Sequence, residues 1–121
     1  MRKWFEKLFK IKSGDIDWEN VELILLDSEK KYIQQFAVKN TDDRLHEIMA
    51  LGDTGKMEIF RILQYAILHD PDHSVKFAAL KRIHHFADHP SLEPMLLKMQ
   101  NEKISNSMEP YFSMALNRLG I

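Results

Sequence analysis

Five of the six histidines lie between positions 69 and 89, as His69, His73, His84, His85 and His89. Neutral imidazole is a common metal ligand, and an i, i+4 spacing puts two rings on one face of a helix. His69 with His73, and His85 with His89, have that spacing, and Asp70, Asp72 and Asp88 would add oxygen ligands. One reading is therefore a metal-binding enzyme or sensor built on His69, His73, His85 and His89. Against it, Asp70-Pro71 interrupts the first pair and Pro90 follows the second, so neither pair is secured on a single helix. The preferred reading is of polar residues at helix ends, where histidine suits the negative end of the helix dipole. A pH-sensitive surface is a milder form of the same idea.

Other routes to chemistry find less. The chain has no cysteine, which removes thiolate metal sites, a cysteine nucleophile and disulfides. It also lacks a glycine-rich phosphate loop, a Gly-x-Ser-x-Gly elbow and a His-Glu-x-x-His zinc helix. Met57, Met95, Met99, Met108 and Met114 fall at helical positions that read as core filling. No cofactor is expected.

The elements that must position any site are helices. Turn-forming clusters at 13–15, 40–42, 52–55, 70–72, 89–91 and 106–107 cut the chain into helix-sized pieces, and no segment alternates like a strand. The implied helices span roughly 2–11, 18–39 with a break near Asp27-Ser28, 42–51, 56–69, 73–88, 91–103 and 107–119. Ser91-Leu92-Glu93-Pro94 and Ser107-Met108-Glu109-Pro110 both read as helix starts, with serine as the cap, glutamate at the positive dipole end and proline where no hydrogen bond is lost. Gly52 and Gly120 mark two helix ends.

A larger unit emerges from the apolar pattern, because residues 56–88 and 92–119 align at a spacing of 36. Phe60 then matches Leu96, Leu63 matches Met99, Val75 matches Tyr111, Ala79 matches Ala115, Leu80 matches Leu116 and Ile83 matches Leu119. A weaker earlier copy places Leu45, Ile48 and Leu51 ahead of Leu80, Ile83 and Phe86. Short connections make neighbouring helices antiparallel.

Residues 51–83, LGDTGKMEIFRILQYAILHDPDHSVKFAALKRI, resemble a HEAT repeat of the phycobilin-lyase-like kind. Asp70-Pro71-Asp72, Val75-Lys76 and Ala78-Ala79 carry the resemblance. It implies an all-α, right-handed α-α superhelix of about three helical hairpins. The chain divides accordingly into a basic amphipathic N-terminal helix (1–12), a degenerate repeat (18–52), the best repeat (55–88) and a C-terminal repeat (90–120), together one domain over 1–121. His46-Glu47 resembles the motif with which HEAT-like deoxyhypusine hydroxylases hold a di-iron centre, but Lys81-Arg82-Ile83-His84 takes its place in the next repeat. HEAT-like alkylpurine DNA glycosylases bind DNA on a basic concave face, and the constellation of aromatic and carboxylate residues they use is not matched. Lys76, Lys81 and Arg82 make a small basic patch flanked by Asp70, Asp72 and Asp88, which reads as a solvated face.

Charge narrows the partner. Residues 1–12 carry +4 and the rest of the chain −5, so the body is mildly acidic and no clear nucleic-acid partner is expected. In that N-terminal segment Trp4, Phe5, Leu8, Phe9 and Ile11 share one helical face and Lys3, Lys7 and Lys10 another. It suits capping of the repeat stack better than peripheral contact with an anionic membrane. With no membrane-length apolar run or secretory signal, a cytoplasmic location is expected. The expectation for function is a non-catalytic protein-binding module, of the adaptor or bacterial toxin-neutralising immunity type. Its contact residues are expected among Lys76, Arg82, His84, His85, Tyr111 and Arg118 on the second helices. The partner is a protein of unknown identity; a HEAT-like nucleic-acid-binding domain is the other alternative.

Overall fold

The computed structural model describes residues 16, 18, 21, 23–101 and 106–120, so the expected amphipathic helix at 1–12 lies outside the described residues. Among the described residues there are six α-helices and no strand, so the protein is all-α there. They are α1 (Asp27–Ala37), α2 (Thr41–Gly52), α3 (Phe60–His69), α4 (His73–Arg82), α5 (Leu92–Asn101) and α6 (Glu109–Leu119). Single 3-10 turns precede α3 at Met57–Ile59 and follow α4 at Ile83–Phe86.

Local chemistry explains most boundaries. Asn40 caps α2 by accepting the Asp43 N–H at 2.8 Å, and Asp72 caps α4 by accepting the Ser74 N–H at 2.8 Å. Gly120 ends α6 in the left-handed region at φ 74°, where glycine avoids the Cβ penalty. One expectation needs correction. The residue before α6 is Met108, which makes no side-chain cap, so the helix starts one residue later than a Ser107 cap implies; Pro110 still falls in its first turn. Gly52 does mark a helix end, as the last residue of α2, and a Cβ there would sit 2.7 Å from Cδ of Arg82. Its glycine serves the close approach of α2 and α4.

The helix expected over 73–88 is also shorter. After Arg82 the backbone tightens into the 3-10 turn, which seats Ile83 and Phe86 in the core while His85 remains exposed and His84 partly so.

The packing has two rows. Helix α4 lies against α2 on one side and α6 on the other, while α3 packs on α1 and, within its hairpin, on α4. One apolar cluster links the rows, with Ile33, Phe36, Ile48, Phe60, Leu63, Val75, Ala79, Leu80, Ile83 and Phe86 fully enclosed. Half of the positions paired at the 36-residue spacing match in burial: Phe60 and Leu96, Leu63 and Met99, and Ala79 and Ala115 are all buried. Val75 is buried and its counterpart Tyr111 half-buried, as are Leu116 and Leu119. The two alanines of α4, Ala78 and Ala79, stand where it meets its neighbours, and their small side chains permit short interhelical distances.

Candidate functional site

The row α2, α4, α6 brings four expected contact residues into one depression. Arg82 from α4, His84 and His85 from the following turn and Arg118 from α6 line a cavity of about 340 Å³, together with Lys81 and Asp53. Two guanidinium groups, one ammonium and two imidazoles thus face a single carboxylate.

Each charged group has a specific anchor. Arg82 Nη1 donates to the Ala78 carbonyl at 3.0 Å, and its Nε lies 3.3 Å from Asp53 Oδ1. That nitrogen is buried and, although within ion-pair reach, is not aligned for a hydrogen bond. Arg118 Nη1 donates to the Lys81 carbonyl at 2.9 Å, tying the end of α6 to the end of α4. Lys81 Nζ stands 5.1 Å from the centroid of the Tyr111 ring, a cation–π distance. His85 Nε2 lies 3.7 Å from Asp53 Oδ1, and the His84 and His85 rings are 4.0 Å apart by centroid.

His84 Nδ1 is buried and makes no well-aligned hydrogen bond, although the Lys81 carbonyl is near enough to favour the protonated ring. Burial, then the charges of His85 and Arg118, hold this imidazole below its ordinary pKa, against weaker opposing contributions from the Lys81 carbonyl and Asp53. Arg82 Nε and His84 Nδ1 are the buried side-chain nitrogens without hydrogen-bond partners among the described residues, and both belong to this depression. Such atoms cost free energy unless something else satisfies them.

The remaining expected contact residues lie elsewhere. Lys76 is half-buried on α4 and does not line the depression. Tyr111 stacks on Phe77, with centroids 4.4 Å apart and planes at 16°, so it supports Lys81 from beneath. Asp53 and Lys81 were missed as site residues: Asp53 reads as turn punctuation and Lys81 as part of a solvated face, and neither has a local sequence signal for the partner it meets.

The histidines of the metal reading do not converge. His85 faces Asp53. His89 stacks on Phe60 at 3.9 Å, and its Nδ1 accepts the Ser91 N–H at 3.1 Å. Burial, then the Arg61 charge, lowers its pKa against the opposing charge of Glu29. His73 meets Phe77 edge-on, and His69 lies beside Tyr65. Asp70 is committed to Arg44. Among the described residues no group of three or more histidine or carboxylate side chains is arranged so that it could hold a metal ion.

A second depression, of about 420 Å³, lies between α3 and α5 and is lined largely by apolar side chains including Leu23, Ile24, Leu68, Met95 and Met99. Among the described residues, no unpartnered buried side-chain nitrogen or oxygen belongs to its lining. Among the described residues, no helix is long and apolar enough to cross a membrane. Comparison with family models, with curated proteins and with solved structures finds no match for this chain.

Proposed function

We propose that the protein is a non-catalytic protein-binding module whose contact surface centres on the basic depression between α4 and α6. The observation that carries this reading is the convergence of Lys81, Arg82, His84, His85 and Arg118 from two helices and a turn around a single carboxylate. A basic, partly desolvated concavity suits an acidic segment of a partner, where arginine gives both affinity and orientation. No serine, threonine or cysteine lines the depression, so binding accounts for its groups better than nucleophilic catalysis.

The architecture is read as a short HEAT-like stack, a right-handed superhelix of three hairpins formed by α1 with α2, α3 with α4 and α5 with α6. The α3–α4 hairpin, the stacking of α4 on α2 and α6, and the shared burial of Phe60 with Leu96, Leu63 with Met99 and Ala79 with Ala115 support it. Adaptor and bacterial toxin-neutralising immunity-type proteins both fall within this class, and a cytoplasmic home fits either. The test is affinity capture from the source cells with the wild-type chain and with Arg118→Gln side by side. A stoichiometric protein retained by the first and lost from the second supports the module; equal retention moves the contact surface elsewhere.

A further inference from the structure

We infer that the depression bounded by Asp53, Lys81, Arg82, His84, His85 and Arg118 is a binding pocket for a dianionic phosphate monoester, with Asp53 as the counter-ion that the ligand displaces. This deepens the contact-surface reading and rests on it, because the phosphate is taken to arrive on a phosphorylated side chain of the protein partner.

Charge sets the ligand class. Three permanent cations against one carboxylate leave two positive charges with both histidines neutral, which matches a dianion better than the single charge of an aspartate or glutamate. Geometry agrees. Each guanidinium is held by one Nη1 bond to a carbonyl, Arg82 on Ala78 and Arg118 on Lys81, so its fork is oriented in advance while other N–H groups stay available. Arg82 Nε, buried and without a hydrogen-bond partner, supplies a further donor once Asp53 leaves, and His84 stands in the same lining.

Asp53 is suited to release. It is 61% exposed, lies 3.3 Å from Arg82 Nε without an aligned hydrogen bond, and is 3.7 Å from His85 Nε2. It belongs to the turn after α2, so its side chain can swing into water without moving a helix.

Binding should also take up a proton. His84 is faced by His85 from its own turn, by Arg118 from α6, by the Lys81 carbonyl and by Asp53 from the turn after α2. An entering dianion offsets the positive charge of Arg118 beside His84, so the imidazolium becomes more favourable in the complex than in the free protein. The bound pKa is then higher than the free one, and affinity rises as pH falls through the interval between them, around and below the ordinary histidine value of about 6.5.

The experiment is isothermal titration of the full chain at low ionic strength with sulfate, O-phosphoserine and acetate. Sulfate remains dianionic as pH falls from about 7.5 to about 5.5, so its pH response reports the protein. The expected result is that sulfate and O-phosphoserine bind and acetate does not. Arg118→Gln should weaken binding about tenfold or more, while Asp53→Asn should strengthen it several-fold, a gain that misfolding would not produce. The rise in sulfate affinity at low pH should persist in His85→Gln and disappear in His84→Gln. No binding of either dianion, equal binding of acetate, or no gain in Asp53→Asn overturns the inference. A captured protein that depends on Arg118 without dianion binding would overturn the phosphate inference alone. Dianion binding with no captured partner would overturn the partner reading alone.

Discussion

Asp70, after α3, and Arg44 of α2 form a two-pronged ion pair: Nε to Oδ2 at 2.9 Å and Nη2 to Oδ1 at 3.3 Å, with the side chains 1% and 10% exposed respectively. Asp70 also accepts the Asp72 N–H at 2.9 Å, and Arg44 Nη1 donates to the Lys39 carbonyl at 2.6 Å. The pair thus bolts the turn between α3 and α4 to the start of α2. Removing one partner leaves the other charge buried, so Asp70→Asn should cost about 3–5 kcal/mol in chemical denaturation. Replacing Arg44 and Asp70 together with apolar residues should cost clearly less than the two single changes summed.

Gly52→Ala should destabilise, although alanine in a helix ordinarily gains about 1 kcal/mol over glycine. The new methyl would meet Arg82 at Cδ (2.7 Å) and Cβ (3.1 Å), and Cβ cannot move without its helix. Overpacking of this kind costs about 1–3 kcal/mol, so a net loss of roughly 1 kcal/mol is expected from denaturation midpoints. The same change pushes Arg82 from its place in the depression and should weaken sulfate binding.

His89 makes stability fall in mild acid. Its neutral ring stacks on Phe60, and Nδ1 must stay unprotonated to accept the Ser91 N–H. Because its folded pKa is lowered, chiefly by burial, the unfolded chain binds the proton more readily. The stability contribution is therefore complete above the unfolded value of about 6.5 and is lost as pH falls through the lower folded value. Melting temperature measured from neutral pH down to about pH 5 should fall, and His89→Gln should flatten that slope.

Much of the fold was legible because it depends on local signals: turn clusters such as 40–42 and 70–72, and apolar positions repeated at helical spacing. The 36-residue register also carried tertiary information, since residues such as Phe60 and Leu96 or Ala79 and Ala115 share burial. What remained illegible depends on contacts between distant positions. Asp70 reads as a helix stop, yet its carboxylate is the buried partner of Arg44. Arg82, His84, His85 and Arg118 were identifiable as polar residues on second helices, but their meeting with Asp53 follows from how α2, α4 and α6 stack. Histidine spacing suggested a shared ligand set, whereas the 3-10 turn after α4 sends His85 toward Asp53 and leaves His89 on Phe60.

That dispersal yields a simple outcome for metals. Adding zinc or iron should leave the melting temperature unchanged, and His69→Ala with His85→Ala should not alter metal content by elemental analysis. A metal-dependent rise in melting temperature abolished by that double substitution would restore the metal reading.

The central claim is tested most directly by comparing wild type with Arg118→Gln in affinity capture from the source cells, with stoichiometry read by quantitative mass spectrometry. Arg118 is exposed and its change spares the core, so folding can be verified by an unchanged melting temperature. The account predicts one protein retained near equimolar amounts by wild type and lost or strongly depleted with Arg118→Gln. Absence of any stoichiometric protein, or its equal retention by both chains, would contradict it.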